Sequence, residues 1–324
     1  MLLCGLVLPG LPSCIYEYDN CPPSLPLTIV NDWSAAPAPN PEGMAYIFFP
    51  RDGSESWRFD FAGTQAGEVL LGVGGYSFLS FNDDTYNVLF DETGGFTAYR
   101  AYTSSANLLT NIPPSSRGIT APARRGADEP TVRCPDMMWG CSSHRVSLWY
   151  CGLRYTSTAT GDDSEDIVSP EFVLTAHQRR LTPRYIWRIT DVENLEGVKY
   201  MSAALSGMAG AIVLSTGEKE NYPSTLVFSA TATATDAIGG SFATFGIPLA
   251  PGVPNILGLF VVLTDGRRFN YEFDVTEQVR TAPDPFEVII ELKGLVIDKA
   301  DSGTGSAFDV LVEGWITTEV NISD

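Results

Sequence analysis

Short segments in which apolar and charged residues alternate constrain the fold of this chain more than any other feature. Trp57, Phe59 and Phe61 occupy every second position of one segment. The residues between them, Arg58 and Asp60, are charged, and a period of two places such sets on opposite faces of a β-strand. Comparable β-rich runs recur between turn clusters, whereas helical periodicity over a dozen residues is nowhere convincing. The sequence therefore predicts an all-β fold.

One segment pair shows the local pattern most clearly. Residues 256–263 and 269–275 are β-rich runs, and the Asp265-Gly266 dipeptide between them is typical of a tight hairpin turn. Residues 104–130 have no periodicity and are rich in Ser, Pro, Gly and Ala, so we expect a mobile loop there.

The length of the chain indicates two domains. A chain of 324 residues can form two sandwiches of ordinary size, each with its own core. The polar, acidic stretch 156–165 has the composition of a linker. We therefore predict an N-terminal β-sandwich at 27–165 and a C-terminal β-sandwich at 166–324.

The first residues of the chain have the character of a targeting segment. An apolar run of about ten residues within 1–13 matches the centre of a secretory signal peptide and is too short to span a bilayer. The run ends at Leu11-Pro12-Ser13-Cys14, which resembles the lipobox of bacterial lipoproteins. In such proteins the chain is cut directly before the cysteine, whose thiol carries a diacylglycerol. We therefore predict a signal peptide at 1–13 and lipidation at Cys14.

The segment that follows would connect the lipid to the first strand. Residues 14–26 are short and contain several prolines, which suits a tether. Two or three acyl chains on Cys14 would give stable anchoring, since each buried methylene contributes roughly 0.8 kcal/mol. The alternative is an ordinary cysteine in a cleaved signal or a misassigned start. The absence of Lys and Arg before Arg51 favours this alternative, because signal peptides normally begin with a basic region.

The charge balance limits the partners of the protein. The formal net charge is −19, so nucleic acid and anionic lipid head groups are poor partners. Beyond Leu11 no apolar stretch has the length of a transmembrane helix. We therefore expect that, if the protein meets a membrane, the contact is made through the lipid on Cys14.

Residue types that carry catalysis are sparse and scattered. The two histidines, His144 and His177, have no recognised catalytic context, and the familiar nucleotide, hydrolase and metalloprotease motifs are missing. The acid pairs at 83–84 and 162–163 have turn-like surroundings, which favours solvated loop charges. We therefore expect no enzyme activity, no catalytic residue and no cofactor.

Three cysteines and a histidine lie close together in sequence. Cys134, Cys141, His144 and Cys151 could in principle hold a structural zinc, but their spacing matches no compact zinc motif, so no metal site is predicted. Disulfides persist in exported proteins, which makes Cys134 with Cys141 a candidate disulfide. Simple burial of these thiols is the remaining interpretation.

Several short stretches together resemble a family of Bacteroidales surface lipoproteins, similar in style to the fimbrillin-type proteins of the type V pilus system. The resemblance spans nearly the whole mature chain, and its motifs are mostly turn and core signals. They are Asn31-Asp32-Trp33-Ser34, Asn40-Pro41-Glu42-Gly43-Met44, Arg58-Phe59-Asp60-Phe61, Gly74-Gly75-Tyr76, Asn82-Asp83-Asp84, Leu205-Ser206-Gly207-Met208, Thr244-Phe245-Gly246, Phe273-Asp274-Val275-Thr276 and Gly314-Trp315.

This resemblance implies a fold and a location. It implies two tandem transthyretin-like Greek-key β-sandwiches, export to the outer membrane as a lipoprotein, and a role as pilus subunit, anchor or adhesin. The partners it implies are other pilus or surface proteins.

The resemblance also raises the question of N-terminal processing. Polymerising subunits of that family are thought to lose an N-terminal strand to an Arg- or Lys-specific protease, which opens a groove for a neighbour's strand. No Lys or Arg lies between Cys14 and Arg51. We therefore predict that the N-terminus and its lipid are retained, as in an anchor or accessory subunit. Cleavage at Arg51, or at Arg117, Arg124 or Arg125, would contradict this.

Two functions from different classes follow. The first is a lipid-anchored fimbrial anchor, accessory subunit or adhesin that acts by protein-protein contact along sheet edges. The second is a surface glycan-binding lipoprotein in which exposed aromatic residues stack on sugar rings. Most aromatic residues lie at alternating strand positions, which favours core packing for the majority of them.

Overall fold

The computed structural model describes residues 24–36, 38–112, 128–160, 163–250, 252–300 and 315–320. The predicted signal peptide, Cys14 and residues 14–23 of the predicted tether lie outside these residues.

The described chain is built almost entirely of β-strands. The strands up to residue 169 are β1 (Ser24–Asp32), β2 (Gly43–Pro50), β3 (Trp57–Ala62), β4 (Glu68–Gly72), β5 (Gly74–Phe81), β6 (Val88–Asp91), β7 (Arg100–Thr103), β8 (Thr131–Arg133), β9 (Trp139–Trp149), β10 (Gly152–Thr160) and β11 (Asp163–Ser169). A short helix α1 (Gly95–Ala98) precedes β7.

The later strands continue the same style. They are β12 (Val173–His177), β13 (Arg179–Arg180), β14 (Arg184–Thr190), β15 (Val198–Ala209), β16 (Ala211–Val213), β17 (Pro223–Phe228), β18 (Thr231–Ala234), β19 (Ala237–Ala243), β20 (Ile256–Leu263), β21 (Arg268–Asp274), β22 (Glu287–Lys293) and β23 (Ile316–Glu319). A 3-10 helix (Leu195–Gly197) and a helix α2 (Thr276–Arg280) complete the described elements.

Two sheets enclose the first core. A three-stranded sheet has the order β12-β1-β4, and a seven-stranded sheet has the order β11-β10-β9-β5-β2-β3, with β13 paired to β9. Leu27 and Ile29 of β1 pack from the first sheet against Tyr46 and Phe48 of β2 from the second. The alternation predicted for strands holds here, since β1 buries every second residue at its centre.

A second pair of sheets encloses the other core. A four-stranded sheet has the order β18-β19-β14-β22, and a six-stranded sheet has the order β23-β21-β20-β15-β17-β8. Trp187 of β14 packs with Phe228 of β17 and Leu259 of β20 between these sheets. The hairpin predicted around Asp265-Gly266 is confirmed, because β20 and β21 pair antiparallel from Ile256↔Asp274 to Val262↔Arg268.

The two sheet pairs are joined by a shared apolar cluster. The outward faces of β2 and β5 contribute Ile47 and Phe81, and the later half of the chain contributes Ile212 and Phe245. A fifth sheet, β16-β7-β6, lies at this junction and pairs β7 from the first half with β16 from the second. The two sandwiches therefore pack against each other, and the described residues of the 156–165 stretch belong to β10 and β11.

The sheet pairing differs from the predicted domain boundary at residue 165. Residues 152–160 and 163–169 form the antiparallel pair β10–β11, and the first sandwich continues to His177 because β12 pairs with β1. Conversely, β8 from the first half pairs in parallel with β17 of the second sandwich. The described part of the acidic stretch is thus paired strand, and a linker and a polar strand pair are not distinguished by composition alone.

The predicted mobile loop at 104–130 also differs in its described part. Leu108, Leu109 and Ile112 are buried against Val227 and Phe260, on the outer face of the six-stranded sheet. This segment therefore covers a sheet face, although its sequence has no regular period.

Candidate functional site

The N-terminal strand occupies the centre of its sheet. β1 pairs in parallel with β12 from Thr28↔Val173 to Asp32↔His177, and antiparallel with β4 on its other side. Parallel pairing requires a long crossover, and here the two strands are separated by more than a hundred residues of chain. Because both neighbours depend on β1 for hydrogen bonds, loss of this strand would separate β4 from β12.

A polar network fastens the end of β1 to three other strands. The side-chain amide of Asn31 donates to the Tyr46 hydroxyl at 2.6 Å. Gln178, which is fully buried, donates from Nε2 to Asn31 Oδ1 at 3.0 Å and to Ser80 Oγ at 2.7 Å. Ser80 Oγ lies 3.3 Å from Cys141 Sγ. Each group has a partner, so the network stabilises one position of β1.

A hydrogen-bonded pair of side chains closes the same end at the surface. His177 Nδ1 lies 2.7 Å from Asp32 Oδ2. The backbone N–H of Ser34, its hydroxyl and His177 hold the pKa of the Asp32 carboxyl below its ordinary value, in that order of effect. His177 thus pairs with a carboxylate across the β1–β12 ladder, which gives it a structural role.

The sequence did not reveal this network. Gln178 contacts residues 98 and 147 positions away along the chain. No local motif marks such a residue, because the partners come together only after β12 adds to β1.

Arg51 lies in the turn between β2 and β3. Its guanidinium donates from Nη2 to the backbone oxygen of His144 at 2.7 Å, which links this turn to β9. Cleavage after Arg51 would detach β1 and β2 together. β2 supplies Met44, Tyr46 and Phe48 to the core, all fully buried. Such a cut would therefore remove β1, the middle strand of the three-stranded sheet, and β2, which lies between β5 and β3 in the seven-stranded sheet.

The sheet edges differ in how well they are covered. At one edge of the four-stranded sheet, Gln278 of α2 receives a hydrogen bond from the Glu291 backbone N–H at 2.8 Å and donates to the Glu291 backbone oxygen at 3.1 Å. At the opposite edge, β18 is exposed at all four positions and has no charged residue. Charged side chains commonly protect edges from pairing, so β18 is open to an added strand.

A few aromatic side chains face solvent. Trp149 is 45% exposed and Tyr150 is 68% exposed at the turn between β9 and β10. Most of the largest buried side chains are also aromatic, including Trp187 and Tyr46. The cores therefore contain many of the aromatic residues, although Trp57 of the alternating segment on β3 is 47% exposed.

The three cysteines that lie close together in the sequence, Cys134, Cys141 and Cys151, are free thiols in this structure. Cys134 packs against the second core and its thiol donates to the Val227 backbone oxygen at 3.4 Å. Cys141 packs against the first core, and Cys151 is exposed. Burial raises the pKa of the Cys134 thiol and raises that of Cys141 to about 11. The candidate disulfide between Cys134 and Cys141 is thus not formed here, because Cys134, directly after β8, packs against the second core and Cys141, on β9, packs against the first.

The remaining candidates for chemistry have structural contacts. Asp84 accepts a hydrogen bond from the Glu42 backbone N–H at 2.6 Å, and Asp83 pairs with Arg58. Within the described ranges, no group of three or more His, Cys, Asp or Glu side chains is arranged to hold a metal ion. Nor does any helix in the described part of the chain have the length and apolar character to cross a bilayer.

Known structures share this fold. The chain is similar to a protein from Bacteroides ovatus described as a "putative adhesin", with a TM-score of 0.60 and 17% identity over 94% of this chain and 100% of that chain. It is also similar to the fimbrial anchor protein Mfa2 from Porphyromonas gingivalis, with a TM-score of 0.48 and 15% identity over 84% of this chain and 91% of that chain. No curated protein matches the chain.

A family match accompanies the structural similarity. The family described as "Domain of unknown function (DUF5119)" matches residues 15–229. The predicted resemblance to Bacteroidales fimbrillin-type surface proteins is confirmed at the level of the fold. Because the family match spans well over half of the sequence, this chain belongs to the DUF5119 family.

Proposed function

We propose that the protein is a lipid-anchored cell-surface protein that serves as a fimbrial anchor, accessory subunit or adhesin and acts by contact with other surface proteins. In this proposal Cys14 carries the lipid, the outer membrane holds the protein, and the two sheet pairs are transthyretin-like modules. The similarity in fold to a Bacteroides ovatus protein described as an adhesin supports this class.

The position of β1 is the observation that carries the proposal. β1 begins at Ser24 and enters the first core within a few residues, where Leu27 is fully buried. Ser24 lies ten positions after Cys14, a span of roughly 35 Å when extended. A lipid on Cys14 would therefore pull on a strand fixed between two neighbours, which suits an anchored subunit.

Retention of the N-terminus belongs to the same proposal. No Lys or Arg lies between Cys14 and Arg51, and a cut at Arg51 would take β2 with β1. A groove that a neighbour's strand can fill forms when one strand is lost and the rest of the core stays intact. The chain offers a trypsin-like protease no site for such a cut before β2.

Contact with partners is proposed along the β18 edge. An incoming extended strand would pair with the free backbone groups of this uncharged edge. Thr233→Lys should reduce chemical cross-linking to neighbouring surface proteins in native cells, whereas Ile289→Lys on the β22 strand should not. Equal cross-linking of both variants and the wild type would exclude β18 as the contact edge.

Metabolic labelling tests the anchor directly. Native cells producing the wild type should incorporate labelled palmitate, and Cys14→Ser should abolish both labelling and membrane recovery. Cys21→Ser is a matched control, since it removes a neighbouring thiol and should leave labelling unchanged. An unlabelled wild-type protein, or a labelled Cys14→Ser variant, would refute lipid anchoring at this residue.

Glycan binding is the second candidate function. Trp149 and Tyr150 are adjacent, exposed and close to a strand end, so their rings are accessible for stacking on sugars. A glycan array should then show binding that Trp149→Ala abolishes and Trp57→Ala leaves intact. An array without binding by the folded wild type would eliminate this candidate.

A further inference from the structure

A cleft of about 520 Å³ lies where the two sandwiches meet. Its walls come from β13, from the turn between β16 and β17, and from the segment that leads into β22. This volume is in the range of sites for small ligands. A protein partner, by contrast, typically covers about 800 Å² of surface on each side.

Three cations line this cleft in a protein whose formal net charge is −19. Arg180 is held in place, because it donates to the backbone oxygens of Thr182 and Phe286 and lies 3.7 Å from Glu287 Oε2. The side chains of Arg179 and Lys219 have no hydrogen-bond or ion-pair partner among the described residues, although the backbones of both residues pair with other segments. The cleft therefore holds two cationic side chains without partners, next to Arg180, whose guanidinium makes structural contacts.

The backbone fixes where these two cations lie. Arg179 pairs with Gly140 of β9, and Lys219 forms an isolated bridge with Ile212. The Lys219 stem lies against Gly246, where a Cβ would come within 2.8 Å of its Cε atom. Gly246 has a φ of +98°, so a side chain there would also be strained. The missing side chain leaves the space that the lysine occupies.

The acidic groups of the cleft do not cancel these charges. Asp284 accepts a hydrogen bond from the Phe286 backbone N–H at 2.8 Å, which fixes its carboxylate at the turn before β22. Glu287 faces Arg180. Arg179 and Lys219 are left for a ligand.

An aromatic ring borders the same cavity. Phe286 is 43% exposed, and its backbone is anchored because its carbonyl accepts hydrogen bonds from both Arg180 and the Arg184 N–H. An accessible ring beside two free cations matches a ligand with an apolar face and an anionic group. A pyranose ring with a carboxylate has both features.

We propose that this cleft binds an acidic sugar, with Arg179 and Lys219 contacting its carboxylate and Phe286 contacting the face of its ring. The site is separate from Trp149 and Tyr150 and from the β18 edge. It does not depend on the lipid anchor or on the surface role proposed above.

Calorimetric titration of the folded protein with tetragalacturonic acid tests the site. The fully methyl-esterified tetramer is the matched probe, since it has the same rings without the charges. We expect the acid to bind and the ester to bind at least about tenfold more weakly, because a charge-assisted hydrogen bond contributes more than 1.4 kcal/mol. Raising the salt concentration should weaken binding of the acid.

Substitutions assign the binding to the cleft. Lys219→Gln and Arg179→Gln should each weaken binding of the acid about tenfold or more, by the same estimate. Lys199→Gln and Arg154→Gln remove the same charges from exposed positions elsewhere and should leave the affinity unchanged. Circular dichroism should show all four variants folded.

Several outcomes would overturn the proposal. They are absence of binding by the acid at millimolar concentration, equal binding of the ester, and unchanged affinity in Lys219→Gln and Arg179→Gln. A hexaglutamate peptide that binds as tightly as the saccharide would show that the site takes acidic peptides, which also refutes the assignment to sugars.

Discussion

Replacing Ile29 by Ala tests whether β1 is part of the first core. Ile29 is 2% exposed and packs between the two sheets of the first sandwich, where its side chain is surrounded by other buried residues. Removing three methyl or methylene carbons from such a position costs about 2–5 kcal/mol, because the transfer free energy is lost and a cavity remains. The adjacent residue, Val30, is 45% exposed on the opposite face of the same strand. Val30→Ala should cost less than about 1 kcal/mol, which is the full range of strand propensities.

Urea unfolding followed by circular dichroism measures both free energies of unfolding. A loss of about 3 kcal/mol lowers Tm by about 6–12 °C for a unit of 150–250 residues. Because the two residues are neighbours in sequence, the pair isolates the effect of burial from any effect of position along the chain. Equal losses for the two variants, or a loss below about 1 kcal/mol for Ile29→Ala, would refute the packing of β1.

Three further predictions concern the buried network at the end of β1, the Asp32 carboxyl group and the free thiols. Gln178→Ala should lower the free energy of unfolding by about 1–3 kcal/mol, because Ser80 and Asn31 lose a buried partner. Gln278→Ala at the exposed β22 edge should lower it by less. Similar losses for the two variants would contradict the buried network. Folding lowers the pKa of Asp32. The ionised carboxylate therefore stabilises the folded protein fully at a pH above its unfolded pKa near 3.8, and this stabilisation is lost as the pH falls through the lower folded pKa. The difference in stability between wild type and Asp32→Asn should therefore shrink between pH 5 and pH 3, and a constant difference would show that the pairing is unimportant. Alkylation without reductant should modify the exposed Cys151 faster than Cys134 or Cys141, and a peptide containing a Cys134–Cys141 disulfide would contradict the free thiols of this structure.

Local periodicity was enough to predict the class of the fold. Trp57, Phe59 and Phe61 alternate in the sequence and lie on β3, and Asp265-Gly266 forms the turn between β20 and β21. Both features depend on neighbours along the chain. They therefore appear in the sequence without knowledge of the distant contacts.

Long-range pairing could not be predicted in the same way. β8 lies in the first half of the sequence but pairs with β17 of the second sandwich. β12 lies in the second half but pairs with β1 of the first sandwich. Parallel pairing of this kind leaves no turn signal between the strands. The predicted boundary at 165 depended on local composition, and the candidate pairing of Cys134 with Cys141 depended on proximity in sequence.

The cleft was missed for a related reason. Arg179 and Lys219 are forty residues apart, and each is an unremarkable cation in its own segment. Only the junction of the two sandwiches brings them to one cavity. The adjacent pair Arg179-Arg180 was the sole local sign of a cationic site, and Arg180 makes structural contacts with Thr182 and Phe286.

Intact-mass and N-terminal analysis of the protein from native outer membranes tests the central claim most directly. The account predicts a chain that begins at an acylated Cys14 and retains β1. A chain that begins after Arg51, Arg117, Arg124 or Arg125, or one that begins at Cys14 without acyl groups, would contradict it.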